Sequence, residues 1–211
     1  MRVGCSLWNV AGPTALEQAR RLVTGGVELF HWDRADGIFA PAGGFQPAVA
    51  SAITADTQTR AEAHLMVADP LAEVDQWCEF CELVVIPVEV DAHRAAIRRI
   101  EQRGRIPGVA ISPTTPLTAL AGLAGLATLV MSVHPGQAGA KPDPLIADRL
   151  ASLERSALLG VDGGLTLDLA QDLRRAGATW VAVGTALVQA EDPATWLAAL
   201  RRDVDDDYRR N

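Results

Sequence analysis

Residues 157–185, ALLGVDGGLTLDLAQDLRRAGATWVAVGT, contain one full turn of the pattern that decides the fold. Ala157–Val161 is a short aliphatic run of the kind that fills a buried strand, and Asp162-Gly163-Gly164 breaks it. A helical pattern follows. Thr166 can cap its start, Asp168 and Asp172 lie toward that end, and Arg174, Arg175 and Gly177 close it, as helix-end hydrogen bonding and the helix dipole favour. Leu169, Leu173 and Ala176 share one face of that helix, and Trp180–Val183 then begins a second buried run. Strand, loop, helix, loop and strand in this order describe a parallel β-α-β unit.

The same cycle extends back to the first residues. Val3–Leu7, Val27–His31, Arg60–Leu65, Leu83–Val88, Ile106–Ile111 and Ala127–Val133 read as further strands, with helical patterns between them such as Thr14–Thr24 and Asp91–Arg103. Eight units in 211 residues suit a compact (β/α)8 TIM barrel, whereas a doubly wound sheet would more often use five or six strands. The expected organisation is one α/β barrel domain over residues 1–200 and a charged, solvated tail over 201–211.

Composition narrows the function. Hydrophobic residues make up 49% of the chain, charged residues 21% and aromatics 5%, with a mean hydropathy of +0.13, so a folded chain with an aliphatic core is expected. The net charge of −7 disfavours nucleic acid as the ligand, because phosphate backbones are held by clustered basic surface, and a small molecule is the better expectation. Lys141 is the only lysine, which argues against Schiff-base chemistry. Three cysteines, Cys5, Cys78 and Cys81, are too few and too odd for a disulfide framework and fit a reducing cytoplasm. The first ten residues carry no charged region followed by an apolar signal core. The uncharged stretch from Ile106 to Val133 is broken by Pro107, Pro113, Pro116, Gly122 and Gly125, so no membrane span is expected there.

In a parallel barrel, reactive groups belong at the C-terminal ends of the strands. His31 and Asp33 are two residues apart at the end of the second strand and point to the same side. His64 lies at the end of the third strand and Asp162 at the end of the seventh, so two imidazoles and two carboxylates converge on one barrel mouth. That mixed nitrogen and oxygen set suits a borderline divalent cation such as Zn²⁺, Mn²⁺, Fe²⁺ or Co²⁺. The alternative is four polar groups that merely bond to one another or cap loops. Gly163-Gly164 after strand seven and Gly184-Thr185 after strand eight stand where barrels of this kind often bind phosphate through backbone N–H groups, and Gly136 and Gly139 after strand six can close the cradle.

These stretches resemble the ribulose-phosphate 3-epimerase family. The family pattern H-x-D-x-M-D-G-x-F-V-P-N meets His31-Trp32-Asp33-Arg34-Ala35-Asp36-Gly37-Ile38-Phe39-Ala40-Pro41-Ala42. H-L-M-V is intact at His64–Val67 and V-D-G-G at Val161–Gly164, while A-G-A and V-x-G-[ST]-A are matched at Ala176–Ala178 and Val181–Ala186 with one residue of looser spacing. The strand-six pattern M-[TS]-V-x-P-G-F-G-G-Q is met by Met131-Ser132-Val133-His134-Pro135-Gly136-Gln137-Ala138-Gly139-Ala140. Carried over position by position, the resemblance implies a barrel of the ribulose-phosphate-binding type. His31, Asp33, His64 and Asp162 become ligands of one divalent metal ion, with Asp33 and Asp162 also the catalytic acid/base pair. Ser6, Met66 and Met131 become substrate contacts. The implied activity is 3-epimerisation of a phosphorylated ketose, foremost D-ribulose 5-phosphate to D-xylulose 5-phosphate, through a metal-stabilised enediolate and with no organic cofactor. A homo-oligomer is also implied.

The chain departs from the family at Ala35 for a methionine, Ala42 for an asparagine, Pro87 for the strand-four histidine and Gln137-Ala138 for Phe-Gly. These changes leave open another ketose phosphate, such as allulose 6-phosphate, or a sugar-phosphate-binding paralogue without activity. Three further candidates stand outside the pattern. Cys78 and Cys81 have C-x-x-C spacing without a second pair, and burial is the simpler account of them. His134 and Lys141 flank the strand-six loop, where they can reach phosphate or simply be solvated. His93 lies in the opening stretch Asp91-Ala92-His93-Arg94 of a helix and is expected to be solvated.

Overall fold

Eight strands pair in parallel and close on themselves: β1 (Arg2–Ser6), β2 (Leu29–Ala35), β3 (Arg60–Met66), β4 (Leu83–Pro87), β5 (Ile106–Ile111), β6 (Ala127–Met131), β7 (Leu159–Asp162) and β8 (Trp180–Val183). They follow one another around the ring in chain order, and β8 pairs with β1 to complete a single-domain (β/α)8 barrel. The computed structural model describes residues 1–10, 12, 14–137, 139–153 and 158–202. Ala138, Ala157 and residues 203–211 of the charged tail therefore lie outside the described residues.

The outer ring consists of α1 (Thr14–Thr24), α2 (Pro47–Thr57), α3 (Val74–Cys78), α4 (His93–Gln102), α5 (Ile146–Ala151), α6 (Leu167–Arg175), α7 (Thr185–Val188) and α8 (Pro193–Arg201). α6 is capped as its sequence demands, with the Leu169 N–H donated to Thr166 Oγ1 at 3.3 Å, and it buries Ala170 and Leu173. Between β5 and β6 the proline- and glycine-punctuated stretch forms only a 3₁₀ turn, Leu117–Leu120. Among the described residues no helix is long and apolar enough to cross a membrane.

Strand periodicity divides the core into two layers. On β4, Val84 and Ile86 face the helices, whereas Leu83 and Val85 face inward with Ala110, Ala127, Leu129, Met131 and Trp180. The Trp180 ring leaves no room for a side chain on the neighbouring strand, since a Cβ at Gly160 would stand 2.3 Å from Trp180 Cε3.

The boundaries of β5, β8 and α1 coincide with the sequence expectation, and the other strands shift by one to four residues. β2 shifts most. It starts at Leu29 and runs to Ala35, four residues past the expected end at His31. Arg34 and Ala35 stay extended because they pair with Leu65 and Met66 on one side and, in antiparallel sense, with a two-residue strand at Gly43–Gly44 on the other. His31 and Asp33 thus lie within the strand, where the ladder holds them. β6 stops at Met131 rather than Val133, and β7 extends to Asp162. α4 begins at His93, not Asp91, and His93 is half-buried with Nδ1 2.6 Å from the Val90 carbonyl, which corrects the expectation of a solvated ring.

Candidate active site

Register assembles the site. Across β2 and β3, His31 pairs with Glu62 and Asp33 with His64; Ser6 on β1 pairs with His31, and Met131 on β6 with Asp162 on β7. Residues two apart share a face, so each of these strands delivers its polar groups to the barrel interior. His31 Nε2 lies 3.4 Å from Asp33 Oδ1, and His64 Nδ1 lies 3.3 Å from that oxygen and 3.5 Å from Asp162 Oδ2. The other oxygen of Asp33 accepts a 2.6 Å hydrogen bond from Ser6 Oγ. His31, His64 and Asp33 are buried, and Asp162 is half-buried.

Burial works against the charges of His31, His64 and Asp33, yet these three groups hold one another ionised. It would lower the His31 pKa, but the Asp33 and Glu62 carboxylates keep that ring well above the ordinary imidazole range. Burial likewise opposes the charge on His64, whose pKa is raised by Asp162 and Asp33. Asp33 is held far below the usual carboxylate range despite its burial, because both imidazoles face it. Protons or a cation can balance the two aspartates.

The donor set fits a cation. One ligand atom from each of His31, Asp33, His64 and Asp162 lies within 4.8 Å of all the others, so the four residues can hold a metal ion. Bonds of about 2.0–2.2 Å in a tetrahedral arrangement require neighbouring ligand atoms about 3.4 Å apart, close to the 3.4, 3.3 and 3.5 Å separations of His31–Asp33, His64–Asp33 and His64–Asp162. His31 Nε2 is buried with no hydrogen-bond partner, which is costly for an imidazole nitrogen unless something else occupies its lone pair.

Above this cluster opens a cavity of about 300 Å³. Its lining includes Ser6, Asp33, Met66, Met131, Gly136, Gly139, Asp162, Gly163, Gly164, Gly184 and Thr185, so all eleven of these sequence-selected residues meet there. His31 and His64 belong to the buried floor of the site, and His134 and Gln137 also line the cavity. The Gly163-Gly164 turn has φ +108° and +60°, and a Cβ on Gly163 would stand 2.5 Å from Val133 Cγ2, so this loop requires glycine. Ser132 Oγ braces it by donating to the Asp162 carbonyl at 3.1 Å.

Lys141 is exposed and absent from the cavity lining, and Cys78 and Cys81 are buried free thiols, each with its pKa raised by burial. Among the departures from the family pattern, Ala35 packs with Ala40 and Met66, and the Trp8 ring lies against that cluster. Trp8 also lines the cavity and rests on the Gly43–Gly44 strand, where a Cβ at Gly43 would meet its ring at 2.7 Å. Sequence reasoning missed Trp8, Asn9 and Glu62. Asn9 donates to Thr185 Oγ1 at 2.7 Å across the mouth and carries no local sequence signal. Glu62 had one, since it stands two residues before His64 on the same strand face.

The model of the ribulose-phosphate 3 epimerase family matches residues 3–188. Curated relatives called ribulose-phosphate 3-epimerase include one from Chlamydia trachomatis, 32% identical over 76% of this chain and 75% of the relative. Another, from Methanocaldococcus jannaschii, is 29% identical over 95% and 90% of the two chains. Among solved structures, 3-hexulose-6-phosphate synthase from Salmonella typhimurium superposes with a TM-score of 0.72 at 20% identity, covering 95% of this chain and 96% of that one, which shows the shared barrel fold. The chain belongs to the ribulose-phosphate 3-epimerase family and is an isomerase acting on carbohydrates.

Proposed function

We propose that this protein interconverts D-ribulose 5-phosphate and D-xylulose 5-phosphate by moving a proton at C3. The observation that carries this reading is that Asp33 and Asp162 both line one cavity while approaching the same His64 nitrogen, at 3.3 and 3.5 Å. The C3 proton is acidic because C2 is a carbonyl carbon. One carboxylate removes it, the C–H electron pair forms the C2–C3 double bond, and the carbonyl electrons move to the C2 oxygen. The other carboxyl group, protonated at the outset, returns a proton to the opposite face as the double bond collapses. The two aspartates exchange protonation states and the configuration at C3 inverts, with no organic cofactor needed.

A divalent cation held by His31, Asp33, His64 and Asp162, of the zinc, manganese, iron or cobalt type, would stabilise the negative charge that develops on the C2 oxygen. Ser6 fixes the orientation of Asp33 by binding its second oxygen. Met66 and Met131 supply an apolar wall that keeps water from the reacting carbon. The loops at Gly136, Gly139, Gly163, Gly164, Gly184 and Thr185 offer a cradle for the phosphate.

A second reading, a six-carbon phosphoketose as substrate, is favoured by Ala35 and Gln137 standing where the family pattern has methionine and phenylalanine. Turnover of a panel of pentulose and hexulose phosphates with metal added tests both. Epimerisation of ribulose 5-phosphate supports the first reading, turnover of hexulose phosphates alone supports the second, and binding without turnover across the panel indicates a paralogue that has lost activity.

A further inference from the structure

Glu62 is fully buried inside the barrel beneath the histidines and takes no part in the proton transfer described above. Its Oε1 lies 2.7 Å from His31 Nδ1 and accepts the Trp180 Nε1–H at 2.8 Å; its Oε2 accepts the Arg2 Nε–H at 2.8 Å, with Arg2 Nη2 2.7 Å away. The surroundings are shaped around this carboxylate. A Cβ on Gly4 would stand 2.4 Å from Oε1, so the neighbouring strand leaves that space to Glu62, while Gly160 makes room for the Trp180 ring that donates to it. A buried charge requires such partners, and Arg2 supplies the opposite one.

The chemistry of this contact has one direction. A carboxylate paired with an arginine only accepts hydrogen bonds, so His31 Nδ1 must donate to it. In the neutral ring the lone pair then resides on Nε2, the buried nitrogen that has no hydrogen-bond partner and lies 3.4 Å from Asp33 Oδ1. We propose that Glu62, backed by Arg2 and Trp180, is a positioning residue that fixes His31 in the Nδ1–H tautomer and turns Nε2 toward a divalent cation, thereby raising the affinity of the site without touching substrate. This inference rests on the metal site in the proposed function. A carboxylate that only anchored Arg2 to the barrel floor would stabilise the fold and leave cation binding unchanged.

The test uses the full chain with zinc or manganese alone as probe, and reads affinity by competition with a chromophoric chelator. Glu62→Gln keeps the size of the side chain and removes its charge. The variant is expected to bind either ion roughly 10- to 100-fold more weakly, as loss of a carboxylate behind a ligating histidine usually does. Unchanged affinity in folded Glu62→Gln overturns the proposal. Should that variant fail to fold, the ring ¹⁵N spectrum of the zinc-loaded wild type, with His31 assigned by its loss in His31→Gln, decides the matter. A proton on Nδ1 supports the relay, and a proton on Nε2 overturns it. A wild-type chain that binds neither ion overturns the metal reading as a whole, whereas wild-type binding matched by Glu62→Gln overturns the relay alone.

Discussion

Asp33 and His64 are register partners on β2 and β3, and Asp33 Oδ1 lies 3.3 Å from His64 Nδ1. The same nitrogen lies 3.5 Å from Asp162 Oδ2, so His64 joins the two carboxylates that the proposed chemistry needs. His64→Ala removes this junction while leaving both carboxylates in place. Metal content, read by elemental analysis, and epimerase activity are expected to fall together. Wild-type activity that survives exhaustive chelation would show that the cluster works without a cation.

Metal binding should strengthen as pH rises. Only a neutral imidazole is a ligand, and the pKa values of His31 and His64 are raised above the ordinary 6.5, so protons compete with the cation up to a higher pH than for free imidazole. Asp33, with its pKa lowered, stays ionised throughout this range. The metal-free chain should respond in the opposite sense. Stability contributed by protonated imidazoles is complete below about 6.5 and is lost as the pH climbs through their raised folded-state values. Calorimetric titrations at several pH values, beside melting curves with and without metal, check both directions.

Gly163→Ala is expected to damage the proposed phosphate cradle. The residue has φ +108°, and its new methyl group would press on Val133 Cγ2 and Ser132 Oγ. Strain of about 1–3 kcal/mol should lower the melting temperature, and KM for the phosphorylated ketose should rise more than kcat falls. Equal KM values in variant and wild type would place the phosphate elsewhere.

Trp8→Ala removes an aromatic wall that packs over Ala35, Ala40 and Met66 and rests on Gly43–Gly44. The enlarged cavity should discriminate less between five- and six-carbon phosphoketoses, with the ratio of their kcat/KM values shifting roughly 10-fold or more toward the longer one, as expected for pockets altered by the size of a carbon group. An unchanged ratio would show that the wall does not face the sugar chain.

The legible parts of the fold were those whose causes are local. α6 shows its cap, its charged ends and its apolar face within eleven residues, and the matching spans of α1, β5 and β8 follow from equally local patterns. The far end of β2 is not legible locally, because its last residues are held extended by β3 and by the Gly43–Gly44 strand, which no local periodicity announces. The site divides in the same way. His31, Asp33 and His64 could be placed by strand period alone, whereas the contacts of Glu62 depend on the β2–β3 register and on Trp180, 118 positions away. Trp8 carries no local signal, because its seat is made by a glycine pair in another loop.

The most direct measurement of the central claim is solvent deuterium incorporation at C3 of ribulose 5-phosphate, followed by NMR with metal present. Wild-type protein should exchange that position while forming xylulose 5-phosphate. Asp33→Asn and Asp162→Asn should each lower the epimerisation rate by roughly 10²- to 10⁴-fold, the usual contribution of a positioned acid or base. Full epimerase activity in either variant, or a wild-type chain that leaves C3 unlabelled, would contradict the two-carboxylate account.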